Sequence, residues 1–277
     1  MTAAEAIRAV RRNKAYAELV RDAYLGEDLL EEAARFAESA EFASVLCLLD
    51  ERVRGARILD LGAGRGIASY AFAHAGAAAV YALEPDPSVE AGRGAFGLLS
   101  AHVPAEFHLL DAYGESIPLP DESIDVVYGR QVLHHVRSLD DAVRECARVL
   151  RRGGVFLACR EHVVTSRSDL EKFLRNHPLH RFTKNEHAYK VNDYCRAVLG
   201  ADLRLERVLG PWDDVTNAFP AVRDERSLDD YASDALVRRF GRLGTLLSRV
   251  PGVVPATWLY IRRPKPGALY SFLAIKP

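Results

Sequence analysis

Carboxylate side chains end three apolar segments that the sequence predicts to be parallel strands. Asp60 lies in the segment RILDLGAGRG, Glu84 follows VYAL and Asp111 follows FHLL. Ligands of open parallel sheets bind beyond the carboxyl ends of the strands, near the point where the strand order reverses. Carboxylates accept hydrogen bonds from hydroxyl and amino groups, so three of them on one edge predict a site for a polar ligand. Each acid alone is also compatible with a turn or a helix cap.

A glycine-rich loop joins the first of these strands to a predicted helix. Gly62, Gly64 and Gly66 let the backbone approach a ligand closely and expose amides at the helix N-terminus. The spacing is GxGxG, whereas a dinucleotide-binding loop of the form GxGxxG needs a glycine where Ile67 stands. The spacing therefore disfavours an NAD-linked oxidoreductase, and the downstream Glu84 favours a ligand-binding loop.

Short apolar segments alternate with helical stretches from Gly55 onward. Uniformly apolar strands fit a sheet that is covered on both faces, and the intervening segments are long enough for crossover helices. We therefore predict an α/β fold with a Rossmann-like, doubly wound and mainly parallel sheet. The predicted strands are Arg57–Leu61, Val80–Leu83, Glu106–Leu110, Ile124–Tyr128, Val155–Cys159, Leu203–Leu209 and Ala268–Ile275. The clearest helix is Leu139–Leu150, which Gly153 and Gly154 should stop.

Composition divides the chain into four parts. Residues 1–54 are rich in Ala, Glu, Arg and Leu, and they predict an N-terminal helical lid segment. Residues 55–210 are predicted to form the Rossmann-like core. Residues 211–267 contain Pro, Trp and basic amphipathic sequence and should form a cap insertion, after which 268–277 supply the final strand of the core.

The stretch from Gly55 to Ala158 resembles the class I S-adenosylmethionine-dependent methyltransferases, most closely their type 11 small-molecule group. Four motifs carry the resemblance in order: ILDLGAGRG, LEPDPS, LLDAYGESIPLPDESIDVVYGRQVLHHV and RVLRRGGVFLA. The resemblance implies that the chain binds S-adenosyl-L-methionine and releases S-adenosyl-L-homocysteine. One departure is visible, because Tyr113 and Gly114 lengthen the third motif relative to the family pattern.

The resemblance also implies roles for single residues. The glycine loop packs against the amino-acid part of the cofactor, Glu84 accepts hydrogen bonds from both ribose hydroxyls, and Asp111 accepts one from the adenine amino group. These roles agree with the chemistry, since a carboxylate suits a diol or an amine. The predicted cofactor-binding residues are Asp60, Gly62, Ala63, Gly64, Gly66, Glu84, Pro85, Asp111, Ala112, Arg130 and Gln131.

Further polar residues follow the fourth and fifth predicted strands at the same edge. His134 and His135 follow the fourth strand, and a histidine is the natural base near neutral pH, although packing and capping are the alternative roles. We predict them as candidate catalytic residues. The candidate substrate-binding residues are Arg160, Glu161, His162 and Trp212. The acceptor is expected over these two strand ends, roofed by the first helices and the 211–267 insertion.

No metal site is predicted from the sequence. His177, His180, Glu186 and His187 offer imidazoles and a carboxylate, but a proline interrupts them and their spacing is not that of ligands on one helix. The four cysteines form no CxxC pair, match no zinc module and fit a reducing cytosol. We therefore expect a cytoplasmic protein without a resident metal.

The net charge and its distribution along the chain limit the classes of partner that the sequence predicts. The formal net charge of −1 gives no general indication of nucleic-acid binding. Residues 235–277 nevertheless carry eight basic and no acidic side chains. This stretch fits a helical cap with a solvated basic face, and the alternatives are contact with an anionic substrate or, through 235–265, with an anionic membrane surface.

These observations favour an enzyme that methylates an oxygen or nitrogen of a small molecule or glycan precursor, with an anionic or glycosylated acceptor as one option. The alternatives are a nucleic-acid methyltransferase and a non-catalytic S-adenosylmethionine-binding protein. The sequence has no recognisable RNA-binding module and no Asn-Pro-Pro-Tyr motif after the fourth strand, so nucleic acid is not a predicted partner. The intact glycine loop argues against lost cofactor binding.

Overall fold

Seven strands form one sheet in the computed structural model, which describes residues 1–177, 180, 186–263 and 265–277. The strands are β1 Arg57–Leu61, β2 Ala79–Leu83, β3 Glu106–Leu110, β4 Ile124–Arg130, β5 Leu150–Val163, β6 Arg204–Leu209 and β7 Ala268–Ile275. Their spatial order is β3-β2-β1-β4-β5-β7-β6, and β7 is antiparallel to both of its neighbours. The predicted α/β fold with a doubly wound, mainly parallel sheet is confirmed.

Helices cover both faces of this sheet. The helices of the described residues are α1 Ala3–Arg12, α2 Ala17–Asp22, α3 Leu29–Ala37, α4 Ala40–Leu49, α5 Ile67–His74, α6 Phe96–Ser100, α7 Leu139–Val149, α8 Arg167–Asn176, α9 Val191–Gly200, α10 Val215–Ala218, α11 Glu225–Phe240, α12 Arg242–Leu247 and α13 Val253–Ile261. None of them is long and apolar enough to cross a bilayer. Thr2, Asp28 and Ser39 cap α1, α3 and α4, because each side chain accepts a hydrogen bond from a first-turn amide.

The helix after β4 shows how local sequence determines an element. Ser138 caps α7 by accepting a hydrogen bond from the Asp141 amide, and the helix buries an apolar face that includes Val143. The helix ends at Val149, and β5 begins at the next residue. Gly153 and Gly154 therefore lie inside a strand and do not stop the helix, which corrects the prediction.

The N-terminal segment contributes to the core as well as to the site. Phe36 of α3 and Phe42 of α4 are fully buried, with ring centroids 5.3 Å apart, and Phe42 packs against Phe72 of α5 at 5.1 Å. These helices therefore cover one face of the sheet. Only the start of the segment borders the ligand cavity described below, and the role of 1–54 as a lid stays a prediction.

Candidate active site

A cavity of about 740 Å³ opens at the carboxyl ends of β1, β2 and β4, where the strand order reverses. The loops after these strands supply most of its wall, and residues between Met1 and Ile7 close one side. Four predicted cofactor-binding residues line it, namely Gly62, Glu84, Pro85 and Gln131. Tyr113 and Gly114, which lengthen the third motif, also form part of the wall.

The loop after β1 brings backbone to the cavity. Gly62 has φ +64° and Gly66 has φ +84°, a conformation that side-chain-bearing residues rarely adopt. A Cβ atom at Gly62 would lie 2.3 Å from Cγ2 of Val132, in the loop after β4. Ala63 and Gly64 complete the turn, in which the Gly66 amide donates to the Ala63 carbonyl at 2.8 Å. The loop is thus fixed in a form that allows close approach of a ligand.

Glu84 is a fixed hydrogen-bond acceptor on the cavity wall. Its Oε2 accepts the Gly64 amide at 2.9 Å, and its Oε1 accepts the Asp86 amide at 2.8 Å. Burial raises the pKa of this carboxyl, while the two amides act in the opposite direction. Each oxygen keeps a second lone pair, so the carboxylate can accept two more hydrogen bonds. A doubly anchored carboxylate beside a glycine-rich loop fits the ribose and amino-acid parts of S-adenosylmethionine.

Asp60 lies beneath the glycine loop and does not line the cavity. Its Oδ2 accepts the hydroxyl hydrogen of Ser69 in α5 at 2.6 Å, and the residue is only 2% exposed. Burial raises the pKa of the Asp60 carboxyl to about 7. The sequence predicted a cofactor contact here, whereas the structure gives this residue a supporting position under the loop.

Asp111 lies at the outer end of the candidate cofactor site. Its side chain is 63% exposed and contacts Nη2 of Arg93 at 2.7 Å. Arg93 also donates to the carbonyl of Pro85, so the ends of β2 and β3 are joined through one guanidinium. Neither Asp111 nor the half-buried Ala112 lines the cavity, and their predicted contacts with adenine stay a prediction.

Glu161, near the end of β5, organises the loop after β4. Its carboxylate accepts the amides of Val132, Leu133 and His134 at 3.0 to 3.2 Å, and Oε2 contacts Nδ1 of His134 at 2.6 Å. Burial lowers the pKa of His134 well below its ordinary value, so its imidazole is neutral. Glu161 is therefore a positioning residue for the two candidate catalytic histidines, of which His135 lines the cavity.

Glu186 joins the histidine pair at the cavity wall. Its Oε2 lies 3.8 Å from Nε2 of His134 and 3.6 Å from Nε2 of His135. Nδ1 of His177 lies 3.8 Å from the other oxygen. Burial raises the pKa of Glu186 to about 7 and lowers that of His177 to about 3. The sequence pattern offered His177 and Glu186 only as members of a rejected metal site, and it did not predict that they lie beside the histidine pair.

A family model described as a methyltransferase domain matches residues 59–158. The chain carries a class I S-adenosylmethionine-dependent methyltransferase domain. The match begins in β1 and ends in β5, and it therefore spans the loops after β1, β2 and β4 that line the cavity.

Curated relatives support the same family. The chain is 35% identical over 120 residues to a Mycolicibacterium smegmatis protein named "Probable S-adenosylmethionine-dependent methyltransferase", with 42% of each chain covered. It is 29% identical over 143 residues to the ubiquinone biosynthesis O-methyltransferase of Agrobacterium fabrum, covering 50% of this chain and 54% of the relative. The chain thus matches about half or less of the length of these relatives.

A solved structure supports the fold over most of the chain. Geranyl diphosphate C-methyltransferase from Streptomyces coelicolor A3(2) superposes with a TM-score of 0.59 at 13% identity, covering 92% of this chain and 88% of that one. The similarity therefore extends the methyltransferase fold to the helices and strands outside residues 59–158.

Arg130 and Arg160, two of the predicted site residues, are part of a buried ion cluster. Arg130 donates through Nε to Glu41 of α4 at 2.6 Å and through Nη2 at 3.1 Å. Nε of Arg160 lies 3.5 Å from the same carboxylate. Burial alone would raise the pKa of Glu41, but the two guanidinium groups lower it below its ordinary value. Neither arginine lines the cavity, so the structure does not bring them to the ligand.

His162 and Trp212 are also placed away from the cavity wall. Nδ1 of His162 contacts the Gly267 carbonyl at 2.9 Å, and burial lowers the pKa of this imidazole to about 4. Trp212 packs on Tyr231 of α11 with ring centroids 4.4 Å apart. None of the described residues of the 211–267 insertion lines the cavity, and the expectation that the insertion roofs it stays a prediction.

Proposed function

We propose that the chain transfers the methyl group of S-adenosylmethionine to an oxygen or nitrogen atom of a small molecule bound in the 740 Å³ cavity. The observation that carries the proposal is the placement of Glu84 and Gly62 on the same cavity wall as His135 and Glu186, with the rest of the glycine loop anchored to Glu84 through the Gly64 amide. Cofactor-binding groups and groups that can handle an acceptor proton thus border one space.

The chain would hold the cofactor through hydrogen-bond acceptors that backbone amides keep in position. When bound, S-adenosylmethionine supplies a methyl group on a positively charged sulfur. Glu84 would accept hydrogen bonds from the ribose hydroxyls, with its carboxylate already oriented by the amides of Gly64 and Asp86. The Gly62–Gly66 loop would border the amino-acid part. Methyl transfer needs alignment and exclusion of water more than covalent help from the protein.

The acceptor side of the cavity is bordered by the N-terminal residues. Residues between Met1 and Ile7 line the same cavity as His135 of the loop after β4 and Glu186. Glu161 fixes this loop through three amides, so the histidine pair is held in one position. A group that accepts a proton from a hydroxyl or amine is therefore available at the wall.

The charge of the wall favours a neutral or cationic acceptor. Among the described residues, its lining contains the acids Glu84, Asp86, Glu115 and Glu186 and one arginine, Arg137. These carboxylates complement the positive sulfur of the cofactor and repel a phosphate-rich polymer. The basic stretch 235–277 does not border the cavity within the described residues. We therefore favour a small uncharged or cationic acceptor over a nucleic acid or an anionic molecule.

The test begins with ligand binding by the purified chain. S-adenosylmethionine and S-adenosylhomocysteine should raise the unfolding midpoint, because a ligand of the native state stabilises it by mass action. NADH should leave the midpoint unchanged. The proposal is wrong if NADH stabilises the protein and both sulfur nucleosides do not.

Acceptor classes are then compared by release of S-adenosylhomocysteine from radiolabelled S-adenosylmethionine. Phenols, catechols, aliphatic alcohols and amines are assayed beside a single-stranded RNA and a DNA duplex. We expect turnover with a member of the small-molecule set alone. Turnover with the nucleic acids alone would support the alternative function.

A further inference from the structure

The wall of the acceptor cavity carries a compact group of metal-ligating side chains. One ring nitrogen of His134, one of His135 and a carboxylate oxygen of Glu186 all lie within 4.8 Å of one another. Nε2 of His134 lies 3.8 Å from Glu186 Oε2, and Nε2 of His135 lies 3.6 Å from it. Two ligands of one tetrahedral Zn²⁺ lie about 3.4 Å apart, given metal–ligand bonds of about 2.0–2.1 Å. The two separations to Glu186 therefore exceed the coordination geometry by less than about 0.5 Å.

A fourth nitrogen lies at the same group. Nδ1 of His177 is buried and has no hydrogen-bond partner among the described residues. It lies 3.8 Å from Oε1 of Glu186. A buried polar atom without a partner costs free energy, and a cation bound between His177 and its neighbours would satisfy it. The lack of a hydrogen-bond partner at this nitrogen is an observation independent of the group formed by His134, His135 and Glu186.

The contacts around His134 are those of a histidine prepared to bind a cation. Its Nδ1 faces Glu161 Oε2 at 2.6 Å, and Glu161 also accepts three backbone amides of the same loop. A metal-binding histidine usually donates its second ring N–H to a carboxylate, which orients the ring and leaves the other nitrogen free for the metal. Nε2 of His134 points to the group in this way.

We propose that His134, His135 and Glu186 bind a divalent transition-metal cation such as Zn²⁺ at the wall of the acceptor cavity, with His177 as a fourth ligand. Imidazole and carboxylate donors suit this class of cation better than Mg²⁺ or Ca²⁺, which prefer oxygen ligands. Catalytic zinc sites use two histidines and one carboxylate as protein ligands, and the ion can expand from four ligands to five. With His177 as the fourth ligand, the open position is the fifth. His135 and Glu186 border the cavity, so an open position faces the acceptor.

The cation would define the acceptor class, and this part rests on the proposed function. An oxygen donor of the acceptor, a hydroxyl of a phenol, catechol or similar compound, would occupy the open position. Coordination would lower the pKa of a bound hydroxyl, so that its proton passes to solvent water before the oxygen takes the methyl group from the sulfur. It would also hold that oxygen beside the cofactor side of the same cavity. The histidine pair then acts through the metal and not as a general base.

The test measures metal binding directly. The full chain is stripped with a chelator, reloaded with Zn²⁺ or Co²⁺ and freed of unbound metal, and its content is measured by mass spectrometry. Co²⁺ additionally reports its ligands through visible absorption. We expect about one ion per wild-type chain. We expect at least about a tenfold loss of affinity in His135→Ala and in Glu186→Gln.

His108→Ala is the matched control, because His108 is an exposed histidine on β3 whose ring stacks on Tyr81 far from the group. The control should bind Zn²⁺ as the wild type does. Absence of zinc from the reloaded wild type, or equal affinity in all three variants, would overturn the proposal. Binding of S-adenosylhomocysteine to the stripped chain is measured in parallel, since its loss would contradict the proposed function and leave the metal result standing.

Discussion

Glu161 contacts His134 through a 2.6 Å bond to Nδ1 while it accepts the amide hydrogen of the same residue at 3.2 Å. One carboxylate on β5 therefore determines both the backbone and the ring position of a residue in the loop after β4. Two further amides of that loop, from Val132 and Leu133, donate to the same group. The position of His135 on the cavity wall depends on this interaction between strands.

We expect Glu161→Gln to destabilise the protein by about 1–3 kcal/mol, because the new amide group places donors opposite backbone donors in a buried site. The free energy of unfolding is measured by urea titration. Glu115→Gln is a suitable comparison, since Glu115 accepts the amides of Arg137 and Ser138 in a less buried position and should cost less. Equal stability of wild type and Glu161→Gln would show that the carboxylate does not hold the loop.

Glu84→Ala should weaken binding of S-adenosylhomocysteine by about 1–3 kcal/mol, the range for hydrogen bonds to a charged group. Asp111→Ala should have a smaller effect, because Asp111 is exposed and already paired with Arg93. Isothermal titration calorimetry measures both affinities. Glu106→Gln, at the opposite end of β3, is the control. An unchanged affinity in Glu84→Ala would contradict the assignment of the cofactor site.

Asp60 should make stability depend on pH. Its pKa rises from 3.8 in the unfolded chain to about 7 in the fold because of burial. Between these values the native state holds a proton that the unfolded state releases, so stability decreases as pH rises from about 4 to 7. Asp60→Asn removes this pH dependence. The free energy of unfolding of the variant should exceed that of the wild type by an amount that grows with pH toward at most about 4 kcal/mol.

Thermal unfolding at pH 4.5 and pH 8, without ligand, checks this expectation. Asp234→Asn, an exposed position on α11, is the control and should follow the wild type at both pH values. The assignment of a raised pKa to Asp60 is wrong if the unfolding temperatures of Asp60→Asn and wild type differ by the same amount at both pH values.

Glu41→Ala should destabilise the fold by about 3–5 kcal/mol, since it leaves the guanidinium groups of Arg130 and Arg160 buried without their shared carboxylate. Asp230→Ala removes an exposed ion pair with Arg226 and should change stability by less than about 1 kcal/mol. Urea titration of both variants gives the comparison. A small effect of Glu41→Ala would mean that the two arginines find other partners.

Deletion of residues 2–12 should reduce methyl transfer while cofactor binding persists. Residues between Met1 and Ile7 border the acceptor side of the cavity, whereas the Phe36–Phe42 core of the following helices is untouched. Turnover and S-adenosylhomocysteine affinity are measured on the same preparation. Full turnover in the shortened chain would show that the first helix does not close the cavity.

Local patterns in the sequence were sufficient to predict the strands, the glycine loop and Glu84. Each of these features depends on residues that are close in sequence. A parallel strand covered on both faces is apolar, and the glycine loop that follows β1 brings the Gly64 amide to Glu84. Long-range partners were not predictable in this way. The sequence places Arg130 at a strand end and predicts that this cation binds the ligand. Only the fold shows that its guanidinium is paired with the carboxylate of Glu41 in α4. Glu186 likewise meets His135 across some fifty residues of sequence.

The attachment of the 211–267 insertion has a consequence for how this protein can diverge. Arg160 donates to the carbonyls of Thr216 and Phe219, and Ser271 of β7 donates to Asn217. The described helices beyond this anchor bury only Ala232, Leu236 and Gly244. Changes in the length or sequence of the insertion beyond this anchor should therefore leave the packing of the sheet intact.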